Sequence, residues 1–190
     1  MANPVSTLSG ILPPAQSGGM TNAEITLQEI SGFSLVQFSA WPETLRATAK
    51  VATRFTEVRQ APDPGSSANG KTATLLRVEP LKWWAISAQS MPDAPDMPTI
   101  NGAALDLSHS RTWIKIGGSK ADTLLNHFLP LDLRDDYFKP GCVASTAFHH
   151  VGVTLWREPK EYNLLLPRSF AGSLWELLFE TAQQYGVDVK

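Results

Sequence analysis

The chain is poor in the features that most often declare a function. It has one cysteine, Cys142, in 190 residues. One thiol excludes an internal disulfide and supplies no metal-ligand set. Charged residues make up only 18% of the chain, against about 25% in an average soluble domain. Neither sign prevails: 16 Lys and Arg face 18 Asp and Glu, for a net charge of -2. That removes the basic field that nucleic acid or an anionic membrane would require, so neither is expected as a partner. No apolar run approaches the roughly 20 residues of a membrane-spanning helix. Residues 1–22 lack the basic start and apolar centre of a secretory signal. These absences together lead to the expectation of a cytoplasmic protein.

What is present is apolar bulk. Apolar residues reach 43%, with six tryptophans, and low charge with spare aromatics suggests surface that is meant to be covered. Residues 1–22, rich in Gly, Pro, Ser and Asn, read as a flexible N-terminal tail. Residues 23–186 read as one compact domain made of two halves, about 23–89 and 103–186. The three prolines of 90–102 preclude regular structure and mark the join.

In the first half, Ile25, Leu27, Phe33 and Leu35 alternate around Ser31-Gly32, the pattern of a hairpin. Pro42 opens a helix over 42–56, with Leu45, Ala49, Ala52 and Phe55 on one stripe. Strands at 72–78 and 82–88 follow, joined by a turn at Glu79-Pro80-Leu81. The second half repeats the order. Strands at 104–108 and 112–116 flank a turn at 109–111, and then comes a helix with Ser119 and Asp122 spaced as a capping box. Strands at 143–149, 151–157 and 162–166 lead to a last helix over 169–185. Its predicted buried side carries Phe170, Leu174, Leu177, Leu178, Thr181 and Tyr185, and Gly186 stops it. In the 151–157 strand, Val151, Val153 and Leu155 share one face and Gly152, Thr154 and Trp156 the other, predicting a sheet with unlike sides. Sliding the chain by 79 residues places Leu35 on Ile114, Glu43 on Asp122, Thr44 on Thr123 and Leu45 on Leu124. The expected fold class is therefore α+β, as two related strand-strand-helix-strand halves with mostly antiparallel sheets.

The motifs that tempt a catalytic reading lack its context. Gly65 to Thr72 (GSSANGKT) fits the phosphate-loop pattern, which works only between a buried strand and a helix N-terminus. Here Pro62 and Pro64 precede it and a strand follows. A phosphate-loop nucleotidase thus rests on this octamer alone. His149 and His150, as neighbours on a strand, would point to opposite faces and could not chelate one ion. Asp106, Ser108 and His109 have the residue types of a hydrolytic triad but lie too close in sequence for its geometry. Asp132, Asp135 and Asp136 cluster on a loop, where acids are usually solvated or cap helices. No catalytic, cofactor-binding or metal residue is assigned. Trp83 and Trp84 must also face opposite ways on a strand, which predicts one in the core and one at or near the surface.

The segment Leu105–Gly186 resembles the gamma subunit of heterotetrameric sarcosine oxidase. The likeness is carried by Asp106-Leu107-Ser108-His109-Ser110-Arg111-Thr112, by Pro130-Leu131-Asp132-Leu133 with Phe138-Lys139-Pro140-Gly141-Cys142, and by Pro167 to Glu176 (PRSFAGSLWE). In the first half, Val78 to Trp83 (VEPLKW) is similar to a Gly-Pro-x-x-Trp hairpin of that family, with Glu79 in place of the Gly. The resemblance implies an aminomethyltransferase-like fold, related to the folate-binding protein of glycine cleavage, and a non-catalytic subunit assembled with alpha, beta and delta subunits. It further implies that the complex demethylates sarcosine oxidatively to glycine. The one-carbon unit would leave as formaldehyde or methylenetetrahydrofolate, with hydrogen peroxide as co-product. FAD, FMN, NAD, zinc and tetrahydrofolate would belong to the other subunits. Alternatives are a stand-alone folate-binding aminomethyltransferase-like protein and a gamma-type subunit of a related N-methyl amino acid dehydrogenase. Residue type selects Trp83, Trp84, His149, His150 and Arg168 as candidates for the subunit interface.

Overall fold

The first two alternating segments form strands, but they do not pair with each other. In the computed structural model, which describes residues 6–11 and 23–190, β1 (Ile25–Ile30) and β2 (Ser34–Ala40) enter different sheets. A 3₁₀ turn at Pro42–Thr44 then leads into α1 (Leu45–Thr56). β3 (Ser67–Asn69), β4 (Thr74–Glu79) and β5 (Lys82–Ser87) follow. After the proline-rich stretch come β6 (Gly102–Asp106), β7 (Arg111–Gly117) and α2 (Ala121–Asn126). The chain ends with β8 (Val143–Phe148), β9 (Val151–Arg157), β10 (Glu161–Pro167), α3 (Ala171–Ala182) and β11 (Val187–Val189).

The strands make a six-stranded sheet of order β11-β1-β7-β10-β9-β8 and a five-stranded sheet of order β3-β4-β5-β2-β6. β2 pairs antiparallel with β5 and β6, and β1 pairs antiparallel with β7 and parallel with β11. Two compact units result. Of the described residues, unit 1 holds 6–11, 23–31, 110–140 and 146–190, and unit 2 holds 32–109 and 141–145. Neither hairpin expected at the start of each half exists, because β1 is taken up by the sheet of β7–β10 and β6 by the sheet of β2–β5. The sheets therefore do not follow the sequence halves. A shift of 79 residues nonetheless carries β5 (82–87) onto 161–166, within β10, and β4 (74–79) onto 153–158, within two residues of β9. Each half thus builds the same strand order around a first strand drawn from the other.

In unit 2, α1 lies on the sheet through Ala52, which packs with Phe38, Leu75, Trp83 and Ala85, while Leu45, Ala49 and Phe55 flank this core half-buried. Thr48 and Thr56 are also buried. Their hydroxyls donate to the carbonyls of Asn101 (2.7 Å) and Ala52 (2.8 Å), which removes the cost of burying them.

In unit 1, α3 buries Ala171, Leu174, Trp175, Leu178 and Ala182. Phe170 and Leu177 are exposed, so the buried face is turned about one residue from the predicted stripe. The 6-residue α2 starts at Ala121 with Lys120, not Ser119, at the cap, and no side chain caps it. Ser119 Oγ donates instead to Glu24 Oε1 at 3.2 Å. β9 also departs from the expected two-sided pattern: Val153, Thr154, Leu155 and Trp156 are all buried, so both faces are covered along that stretch.

Of the expected N-terminal tail, residues 1–5 and 12–22 lie outside the described residues. Residues 6–11 are docked on unit 1. Glu29 accepts hydrogen bonds from Ser6 Oγ (2.5 Å) and Thr7 N–H (3.1 Å), and Leu8 is fully buried. Burial of Leu8 contributes roughly 1.5–3 kcal/mol to this docking.

Candidate functional site

The phosphate-loop look-alike is a structural corner of unit 2. Gly65 has φ 75°, a left-handed value that glycine adopts without strain. A Cβ on Gly70 would stand 1.9 Å from the Thr56 carbonyl oxygen, so glycine is needed there for close approach of two backbones. Between them, β3 pairs with β4. Lys71 faces Glu57 at 3.9 Å and Thr72 Oγ1 donates to the same carboxylate at 2.9 Å. The residues a nucleotide would need thus tie the end of α1 to the start of β4.

Asp106, Ser108 and His109 also form a turn lock. Asp106 Oδ1 accepts from the Ser108 hydroxyl (2.6 Å) and N–H (2.8 Å), while Ser108 Oγ accepts from Leu35 N–H at 2.9 Å. Burial acts to raise the Asp106 pKa, but the Ser108 hydrogen bonds and the nearby His109 outweigh it and hold the carboxyl below its usual range. The serine therefore orients backbone, and the carboxylate it donates to is held below the pKa at which a general base works near neutral pH.

In unit 1 a polar cleft of about 230 Å³ opens beside Asp122, Asp135, Arg157, Lys160 and Tyr162. Two of its charged groups, Arg157 and Asp135, hold the loop after α2. Arg157 donates to the Phe138 carbonyl at 2.6 Å, pairs with Asp135, and lies 5.1 Å over the Tyr162 ring. Tyr162 OH donates to the Leu133 carbonyl at 3.2 Å. Burial pushes the Tyr162 pKa up, Arg157 opposes this, and Asp122 and Asp135 add to the rise, so the phenol stays protonated. Asp132 is ion-paired with Arg134, and Asp136 is exposed. Among the described residues no group of three His, Cys, Asp or Glu is arranged to hold a metal ion.

The five interface candidates are divided between the units, Trp83 and Trp84 in unit 2 and His149, His150 and Arg168 in unit 1. Trp83 and Trp84 are both buried, at 1% and 6% exposure, which corrects the expectation that one lies at the surface. Trp83 lies under the Arg77 guanidinium, 5.1 Å away, and Trp84 Nε1 donates to Gln37 Oε1 at 3.0 Å. Both faces of β5 are covered, so neither indole presents a surface. His149 and His150 are exposed, but they form the two-residue turn between β8 and β9 instead of lying on a strand. His149 takes φ 52° there, with its ring edge-on to Phe128 at 5.6 Å. Arg168 is half-buried, and its N–H donates to the Ser110 carbonyl at 3.1 Å.

The exposed apolar side chains are others. In unit 2 they are Trp41 (56%), Ile100 (77%) and Leu105 (50%), and in unit 1 Ile11, Tyr137, Phe170 and Leu177. Trp41 Nε1 donates to the Thr99 carbonyl at 2.9 Å, which joins the start of the 3₁₀ turn to the segment carrying Ile100. The sequence held a signal for Trp41: it directly precedes Pro42, and a residue before a helix-opening proline lies outside the packed stripe. Ile100, in the turn before β6, and Leu105, on β6 itself, had none.

A duplicated α+β pattern with exchanged first strands defines a fold class before any activity. That class is the fold of glycine cleavage system aminomethyltransferase T from Bartonella henselae, which the chain matches with a TM-score of 0.64 at 14% identity over 89% of its length. The chain covers 48% of that protein, so it spans about half of it. More extensive is the match to a chain of heterotetrameric sarcosine oxidase from Corynebacterium sp. U-96, solved with pyrrole 2-carboxylate, with a TM-score of 0.77, 19% identity and 95% coverage of both chains. In sequence the chain is similar to sarcosine oxidase subunit gamma of Arthrobacter sp, 26% identical over 163 residues, covering 84% of this chain and 80% of that protein. No family model matches the chain. The resemblance drawn from the motifs of the second half is thus met by a likeness over most of the chain. Among the described residues no helix is long and apolar enough to cross a membrane.

Proposed function

We propose that the chain is a gamma-type, non-catalytic subunit of a heterotetrameric sarcosine oxidase, assembled with alpha, beta and delta subunits. The observation that carries this reading is the co-extensive likeness to a subunit named gamma, over 84% of this chain and 80% of that one. The side-chain chemistry supports it. Asp106, Ser108, Lys71, Thr72, Arg157 and Asp135 are all engaged in holding turns and loops. In this reading FAD, FMN, NAD, zinc and tetrahydrofolate are held by the other subunits. The complex converts sarcosine to glycine, with formaldehyde or methylenetetrahydrofolate and hydrogen peroxide as the other products, in the cytoplasm. The choice between sarcosine and another N-methyl amino acid lies with those subunits.

The test is gentle purification of the tagged chain from its native cells, followed by native mass spectrometry and an absorption spectrum. A yellow assembly with three other polypeptides is expected. A colourless monomer would overturn the reading. The aminomethyltransferase-like fold would then favour a stand-alone folate-binding protein, to be detected by quenching of tryptophan fluorescence on titration with tetrahydrofolate.

A further inference from the structure

The two sheets are topological copies with one difference. In unit 1 the exchanged first strand, β1, is covered by β11, whereas in unit 2 its counterpart β6 pairs, among the described residues, with β2 alone. The bond pattern shows what β6 leaves open. Leu107 N–H donates to the Leu35 carbonyl at 2.8 Å, and antiparallel bonding alternates along a strand. Ala103 and Leu105 therefore direct their backbone groups at Ser39 and Gln37 on β2, while Ala104 and Asp106 direct theirs away. β1 has the same geometry. Ile25 N–H donates to the Gly186 carbonyl (3.2 Å), and the Leu27 carbonyl accepts from Lys190 N–H (3.0 Å), so β11 satisfies two outward-facing residues spaced by two.

The edge is lightly protected. Natural edge strands are blunted by charged side chains, lysine above all, by proline or by bulges; β6, Gly-Ala-Ala-Leu-Asp, has no lysine, proline or bulge, and its single charge stands at its last residue. Leu105 is half exposed on it. At its start, where Gly102 pairs with Ala40, stand the exposed Trp41 and Ile100. At its end stands Asp106, exposed and anionic.

From this we infer that the β6 edge receives an extended segment of a partner subunit, laid parallel to β6 as β11 is to β1. The inference rests on the proposed subunit role. A parallel strand enters at Gly102, so its leading residues meet Trp41 and Ile100 and are apolar. An apolar residue lies opposite Ala104, and a basic or hydroxyl residue opposite Asp106, where an acid would be repelled. Main-chain bonds supply the affinity and these side chains the choice of partner.

The experiment is amide hydrogen exchange of the full chain, alone and in the complex recovered from native cells, resolved to single residues by fragmentation. Ala104 and Asp106 amides should exchange freely in the isolated chain and slow by about tenfold or more in the complex, with Leu105 slow in both. Two variants accompany it. Ala104→Pro removes an outward N–H at an edge position where proline is tolerated. Leu105→Lys leaves the backbone intact and places a charge on the strand. Each should lower recovery of the partner by about tenfold while the melting curve stays cooperative. A recovered complex in which the Ala104 and Asp106 amides exchange as they do in the isolated chain would overturn the edge and leave the subunit role standing. Recovery of no complex at all would overturn both.

Discussion

At the scale of single residues, the groups that look catalytic in the sequence are those that fasten backbone. Asp106 and Ser108 show this most directly, because one carboxylate oxygen accepts two hydrogen bonds from the serine, and the serine oxygen in turn accepts one from Leu35. The folded carboxyl titrates below its unfolded value of about 3.9. A group with a depressed folded pKa contributes stability above the unfolded pKa and loses it as the pH falls through the folded one. Asp106 should thus support the fold from neutral pH down to about pH 4 and stop doing so in more acid solution. In Ser108→Ala the hydroxyl donor is gone while burial still acts to raise the pKa, so the Asp106 midpoint should rise. Carboxyl carbon NMR titration of both proteins checks this. An unmoved midpoint would show that the hydroxyl does not hold the carboxylate. Gly70 teaches the same lesson from the other side: its position in a phosphate-loop pattern is accounted for by the 1.9 Å between a would-be Cβ and the Thr56 carbonyl.

At the scale of elements, most strands and both long helices were legible, since each carries a clear period. α1 shows 3.6-residue spacing at Leu45, Ala49, Ala52 and Phe55, and β4 and β5 flank an unambiguous Pro80 turn. Three local readings failed for physical reasons. The runs Trp83-Trp84-Ala85-Ile86 and Val153-Thr154-Leu155-Trp156 are buried throughout. A strand covered on both faces is a continuous apolar run and not an alternation, so the rule of one indole in and one out does not hold. The histidine pair reads as the end of a strand until the left-handed φ of His149 closes the turn. The start of α2 offered Ser119 and Asp122 at capping-box spacing, but the helix begins one residue later, and Asp122 accepts from the neighbouring Thr123 N–H at 2.6 Å. Ser119→Ala should therefore change stability by no more than about 0.5 kcal/mol, the range of an ordinary surface substitution. The loss of a working cap would cost about 1 kcal/mol. Urea denaturation distinguishes the two, and a loss near the larger figure would mean that Ser119 caps the helix in solution.

At the scale of the whole molecule, the element order was legible and the exchange of first strands was not. Nothing in Ile25–Ile30 or Gly102–Asp106 states which sheet will accept it, because either strand could pair locally across its short turn. The choice is made by partners far away in sequence: β1 registers Leu27 against Ile116, and β6 registers Leu105 against Gln37. The proline-rich 90–102 stretch that looks like a join is for this reason not a place where the chain can be divided into self-sufficient pieces. A fragment ending at residue 95 keeps β2–β5 but lacks β6, and its β1 has lost both β7 and β11. A fragment starting at residue 96 keeps β7–β11 but has no β1 to lie between β11 and β7. Each would expose a strand edge and the apolar side chains that the missing strand covers, at roughly 25 cal/mol per Å². Expressed alone, neither fragment should show a cooperative urea transition. Expressed together, they should recover one, since the exchanged strands can still find their sheets in trans. A cooperative transition in either fragment by itself would mean that the halves fold on local pairing first and exchange strands only afterwards.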